Sequence, residues 1–161
     1  MSNALKSLIT MIKSAVVGVT ILFFLTLMMN LTLGHIIDLM YPPTPRSTGG
    51  INISPGSNFG RFLSAEIYLT FLFGCLASFS AGFFLGGEEP GTSARQNFIN
   101  GLFTFITGFV IGIFAPYLTF HVFANAGFSK IDLIYDLIYG LIAGLVGAIG
   151  YFLANHKYRV V

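Results

Sequence analysis

Charge is missing from four long stretches of this chain, and that limits the fold more than any motif does. Lys13 and Asp38 bound 24 uncharged positions, Glu66 and Glu88 bound 21, Asp136 and Lys157 bound 20, and Arg95 and Lys130 bound 34. A helix rising about 1.5 Å per residue needs roughly 20 apolar residues to cross about 30 Å of hydrocarbon, so every stretch is long enough. The longest divides into a span from Phe98 to Phe120 and an exit loop that closes on Asn125-Ala126-Gly127. Only 9% of the residues are charged and the mean hydropathy is +0.82. A soluble domain carries about 25% charged residues, so a water-facing surface cannot be built here.

The fold expected is all-α and transmembrane, a single domain over residues 1–161 with spans near 15–37, 67–87, 98–120 and 137–155. Two hairpins, joined by a long Pro/Gly-rich outer loop between the first and second helices, would place both termini on one side. The first apolar run follows Lys6 and Lys13 as a signal peptide would, but it is too long and no small-residue cleavage site follows it cleanly. Lys6, Lys13, Arg95, Lys157 and Arg159 would face one side and Arg46, Arg61 and Lys130 the other. That bias puts both termini in the cytoplasm of a bacterial-type inner membrane. Pro42, Pro43, Pro45, Gly49, Gly50, Pro55, Gly56 and Gly60 keep the Tyr41 to Leu63 connection out of regular helix.

Lipid offers little hydrophobic drive for helix association, so close packing depends on small side chains that let backbones approach. Gly74, Ser78, Gly82 and Gly86 recur every four residues in the second span, Thr104, Gly108 and Gly112 in the third, and Gly140, Gly144 and Ala148 in the fourth. These stripes read as helix contacts. A shift of 66 residues superposes Gly74 on Gly140, Ala77 on Ala143, Ser78 on Gly144 and Ala81 on Gly147, a faint repeat between the second and fourth spans. The tyrosines, Tyr151 among them, cluster at span edges and suit an interfacial belt, while the 18 phenylalanines face lipid or fill space beside the glycines.

Ionisable groups buried in a membrane are costly and therefore functional suspects. His35 and Asp38 lie one turn apart at the outer end of the first span, Glu66 opens the second and His121 follows the third. Topology puts these four at one membrane depth as a candidate outer polar cluster for a proton or metal; the plainer reading is four wet interfacial side chains. No spacing matches a dedicated metal motif, so no metal site is expected. Asn30, the strongly polar side chain well inside a span, is expected to bond across to a neighbouring helix. Thr92 or Ser93 is expected to cap the third helix. The single cysteine, Cys75, forms no internal disulfide and reads as a small packing residue. No nucleophile and base pair or paired carboxylate stands at catalytic spacing, so the chain is not read as an enzyme.

The segment Gly34-His35-Ile36-Ile37-Asp38-Leu39-Met40-Tyr41-Pro42-Pro43-Thr44-Pro45, with Ala81-Gly82-Phe83-Phe84-Leu85-Gly86-Gly87 further on, resembles a group of small four-helix bacterial membrane proteins without an assigned function. In them a first span ends in a Gly-His pair and a Tyr-Pro-x-Pro run, and a second in a Gly-Gly pair. The resemblance covers about half of the chain and implies architecture alone. The expected role is a non-catalytic accessory or scaffolding subunit of a larger membrane complex, respiratory or photosynthetic, whose partners are other integral membrane subunits and lipids, not nucleic acid. The alternative is a small homo-oligomeric channel or carrier that uses the outer polar cluster. No cofactor is expected; contact with a pigment, haem or quinone is the weaker reading.

Overall fold

The structure, a computed structural model, describes residues 3–40, 58–88, 93–119 and 130–159, with side chains described for 5–32, 67–88, 93–119 and 134–157. Four helices run through it: α1 (Asn3–Met40), α2 (Asn58–Glu88), α3 (Ala94–Pro116) and α4 (Lys130–Arg159). There is no strand among the described residues. Each helix contains a stretch long and apolar enough to cross a membrane: Leu5–Thr32, Ile67–Glu88, Ala94–Thr119 and Ile134–Lys157. The chain is thus a multi-pass helical membrane protein. In α1 the apolar stretch begins well before position 15, because Lys6 and Lys13 both lie on exposed positions of the helix and do not interrupt it. Most of the connection from Tyr41 to Leu63, the turn after Glu88 and the Asn125-Ala126-Gly127 loop lie outside the described residues.

Helix α3 starts where a side chain can satisfy its free N–H groups. Ser93, in extended backbone, accepts a hydrogen bond from the Gln96 amide at 3.2 Å through its hydroxyl, and its carbonyl accepts from Asn97 at 3.0 Å. At the other end Pro116, buried in the last turn, has no N–H to give to the Gly112 carbonyl. Beyond it the backbone widens into a π turn over residues 117–119, and the Thr119 hydroxyl donates to the Ala115 carbonyl at 3.1 Å.

Three helices form the core. α4 lies against both α2 and α3, to a similar extent. The two run parallel, since Phe71 meets Tyr139, Gly82 meets Gly147 and Gly86 meets Tyr151 and Ala154. The segments that the 66-residue shift superposes are therefore also the ones packed on each other. A side chain on Gly82 would collide with the Gly147 carbonyl, and one on Gly86 with the Tyr151 carbonyl. Against α3, antiparallel, a Cβ on Gly108 would lie 2.7 Å from the Ala143 carbonyl, on Gly112 2.7 Å from that of Tyr139, on Gly140 2.9 Å from that of Phe109 and on Gly144 2.8 Å from that of Phe105. Gly74 sits at the α2–α3 crossing, beside Ala115 and Gly112. Ser78 donates to the Gly74 carbonyl of its own helix at 2.7 Å and lies 3.3 Å from the Gly108 carbonyl across that crossing.

Helix α1 lies outside this core, on α2 and to a smaller extent on α3. Its contact includes Ser14, Gly18 and Leu22. The Ser14 hydroxyl donates to the Ala81 carbonyl at 2.7 Å, Gly18 faces Ala77, Ala81 and Ile111, and Leu22 joins Ala77, Ile111 and Ala115 in a buried apolar cluster. The opposite flank, with Val16, Val19, Phe23, Phe24, Met28 and Leu31, is exposed.

Candidate functional site

The four residues of the expected outer cluster fall outside the described side chains. His35, Asp38 and Glu66 belong to α1 and α2, but their side chains lie outside the described residues, and His121 lies outside them altogether. Asn30 is half-buried, and its amide donates to the Thr26 carbonyl at 2.8 Å, one turn back in its own helix, instead of to a neighbour. An exposed or half-buried amide close to its own backbone needs no interhelical partner to be satisfied. Polar side chains do gather at two other levels, one near each end of the core.

The first level joins the start of α3 to the end of α4. Gln96, Asn97 and Asn100 lie in the first two turns of α3, and Tyr151 and Asn155 lie one turn apart on α4. The Tyr151 hydroxyl donates to Asn97 Oδ1 at 3.2 Å, and the Asn155 amide donates to the same oxygen at 3.0 Å. Gln96 donates to Asn100 Oδ1 at 3.0 Å. Asn100 and Tyr151 are fully buried. Tyr151 is thus not an edge tyrosine, unlike the exposed Tyr68, Tyr117 and Tyr135. Its backbone is held against Gly82 and Gly86, and its hydroxyl reaches α3. The sequence reading missed this level. The available signal was a pair of asparagines at i and i+3 and a Tyr/Asn pair at i and i+4, on spans that an antiparallel arrangement brings to one depth.

The second level lies toward the ends of α1 and α3 and the start of α2 and α4. Thr70 donates to the Thr119 hydroxyl at 3.2 Å, and Thr119 passes a bond to the Ala115 carbonyl. Thr26, on α1, is 1% exposed, and its hydroxyl is the one buried side-chain oxygen or nitrogen among the described residues with no hydrogen-bond partner. Asp136, which the sequence reading used only as the edge of a span, is 7% exposed. It lies one turn before Gly140 on the face of α4 that meets α3, and within electrostatic reach of Tyr139. A carboxylate at that burial in a membrane bundle is expensive unless its charge is met by a partner.

Both levels can donate and accept hydrogen bonds. Among the described residues no three His, Cys, Asp or Glu side chains stand together as metal ligands do. Cys75 is a free, half-buried thiol in α2. No family model, curated protein or solved structure matches the chain.

Proposed function

We propose that this protein is a non-catalytic subunit that assembles with other integral membrane chains in a larger complex, with α1 as the partner-facing helix. What supports this is the contrast in cover: 17% of an 18-residue apolar window of α1 is buried inside the bundle, against 39% for α3 and α4 and 44% for α2. The core helices have spent their small-residue faces on one another, through glycines that touch backbone carbonyls. The exposed flank of α1 is bulky and apolar, a surface that fits another membrane helix or lipid. In this reading the chain enters the membrane as two hairpins, its termini are cytoplasmic, and the Pro/Gly-rich connection lies outside.

Purification in a mild detergent tests the role. Companion chains retained in fixed stoichiometry are expected, and a clean oligomer of this chain alone would replace the subunit by the channel or carrier. Cysteine labelling tests the orientation. A cysteine placed at Ser57 is expected to react with an impermeant reagent in intact cells and one placed at Val161 is not; the reverse pattern would turn the topology over.

A further inference from the structure

Lys13 carries a charge on the outward side of a membrane helix. It is exposed, on the flank of α1 turned away from Ser14, Gly18 and Leu22, and among the described residues no hydrogen bond or ion pair reaches its ammonium group. Its depth follows from direct contacts. Ser14 bonds to Ala81 and Gly18 meets Ala77, so α1 and α2 are antiparallel, and Lys13 comes about 9 Å inside Glu88, where the apolar stretch of α2 ends. Gly18 beside Ile111, with Leu22 packed in one cluster with Ala115, makes α1 parallel to α3 and puts Lys13 about 18 Å past Ala94, where α3 begins. A lysine stem reaches about 6 Å, so by either register the ammonium group stops short of the end of the bundle. Lys6, two turns earlier, comes level with the end of α2 and has water within reach. A cation inside the hydrocarbon is costly, and membrane proteins almost always pair it.

We infer, on the subunit role proposed above, that the exposed flank of α1 docks against a transmembrane helix of a different chain, and that an Asp or Glu of that helix pairs with Lys13 inside the membrane. Charge complementarity names the partner's chemistry. The pattern of the flank fits a helix as its occupant: Lys6, Lys13 and Thr20 recur every seven residues on exposed positions, the spacing at which one helix lying along another meets the same seam again. Ile12, Val16 and Phe24, all exposed, border that seam with apolar surface that would keep water from the pair. A second copy of this chain does not supply the acid. Of its six acidic residues, Asp38, Glu66, Asp132 and Asp136 belong to the opposite end of the helices, Glu88 closes α2 and Glu89 follows it in the sequence. Anionic lipid headgroups lie at the interface, the level of Lys6 and not of Lys13.

The test uses the full-length protein in its membrane and then with the companion chains that stay bound in mild detergent. Dicyclohexylcarbodiimide enters lipid and couples an amine to an adjacent carboxylate, so it should join Lys13 to an Asp or Glu in a transmembrane helix of one companion, a bond that peptide mass spectrometry locates. Lys13→Met and Lys13→Glu should lower the amount of that companion per chain by about tenfold or more, while the protein itself stays monodisperse. Lys13→Arg, which keeps the charge, and Lys6→Met should retain it. Lysine at the crosslinked position of the companion should restore binding to Lys13→Glu. A companion held in full by Lys13→Glu overturns the pairing and leaves the subunit role standing; if that variant does not fold, the absence of a Lys13 crosslink in the unaltered protein overturns it. So does loss of bound phosphatidylglycerol from Lys13→Met with every companion retained, which would assign the lysine to lipid. No companion chain at all with the unaltered protein ends the subunit role and the pairing together.

Discussion

Helix α1 and the α2–α4 core differ in a way that runs against intuition from soluble proteins. α1 is the most apolar of the four spans and the least buried, and α2 is the least apolar and the most buried. In water the order would be reversed, because burial would follow apolar area. In lipid a leucine gains little by leaving the acyl chains for a protein neighbour, so what draws helices together is how near their backbones can come and which polar groups they can satisfy. α2 has Gly74, Gly82 and Gly86 for approach and Thr70 and Ser78 for bonding. Among the described side chains of α1, Gly18 lies at its interface and Ser14 makes an interhelical hydroxyl bond.

The largest effect expected from that difference is at Gly82. Gly82→Leu drives a side chain into the Gly147 carbonyl and separates α2 from α4 over several residues, so folded, monodisperse protein should be lost, a destabilisation of about 3 kcal/mol or more. Size-exclusion in mild detergent reads it directly. Tolerance equal to that of Leu145→Ala, an exposed position expected to stay within about 0.5 kcal/mol, would mean that the crossing is not what holds the core.

Asn97→Leu comes next. It removes the acceptor shared by the buried Tyr151 and Asn155 side chains, two hydrogen bonds between α3 and α4, for about 1–3 kcal/mol by thermal unfolding. If Tyr151→Phe in the Asn97→Leu background restored nothing, the penalty would not come from the Tyr151 hydroxyl.

A smaller effect is expected at the α1 contact. Ser14→Ala should cost about 0.6 kcal/mol and act locally, so amide exchange should quicken in α1 while α2 to α4 keep their protection. Uniformly faster exchange would show that α1 belongs to the core unit after all. Least of all, Phe24→Ala on the open flank should shift unfolding by under about 0.5 kcal/mol, yet loosen any companion chain that co-purifies. Retention unaffected by that change would move the partner surface off α1.

How much of this could be read beforehand varied with the kind of residue. The spans were legible because the exclusion of charge from hydrocarbon acts on each residue separately. The glycine stripes were legible as a pattern, although which stripe meets which was not. Tyr151 shows the limit: at the end of a span it reads as a belt residue, and only the approach of α2 through Gly82 and Gly86 buries it and sends its hydroxyl to Asn97. Asp136 likewise reads as the edge of a span until the packing of α4 places it at 7% exposure.

The sequence by itself determined that this chain is helical, crosses a membrane and carries small-residue faces, because those properties follow from single residues and their spacing along one helix. Tertiary structure alone decided that α4 packs on both α2 and α3, that α1 stays outside, and that Thr70 and Thr119 bond across two helices while the Thr26 hydroxyl goes unbonded. The reason is physical. Solvation by lipid is a property of each side chain, whereas the partner of a glycine or a hydroxyl depends on the rotation and register of a second helix, and no residue in the first helix encodes those.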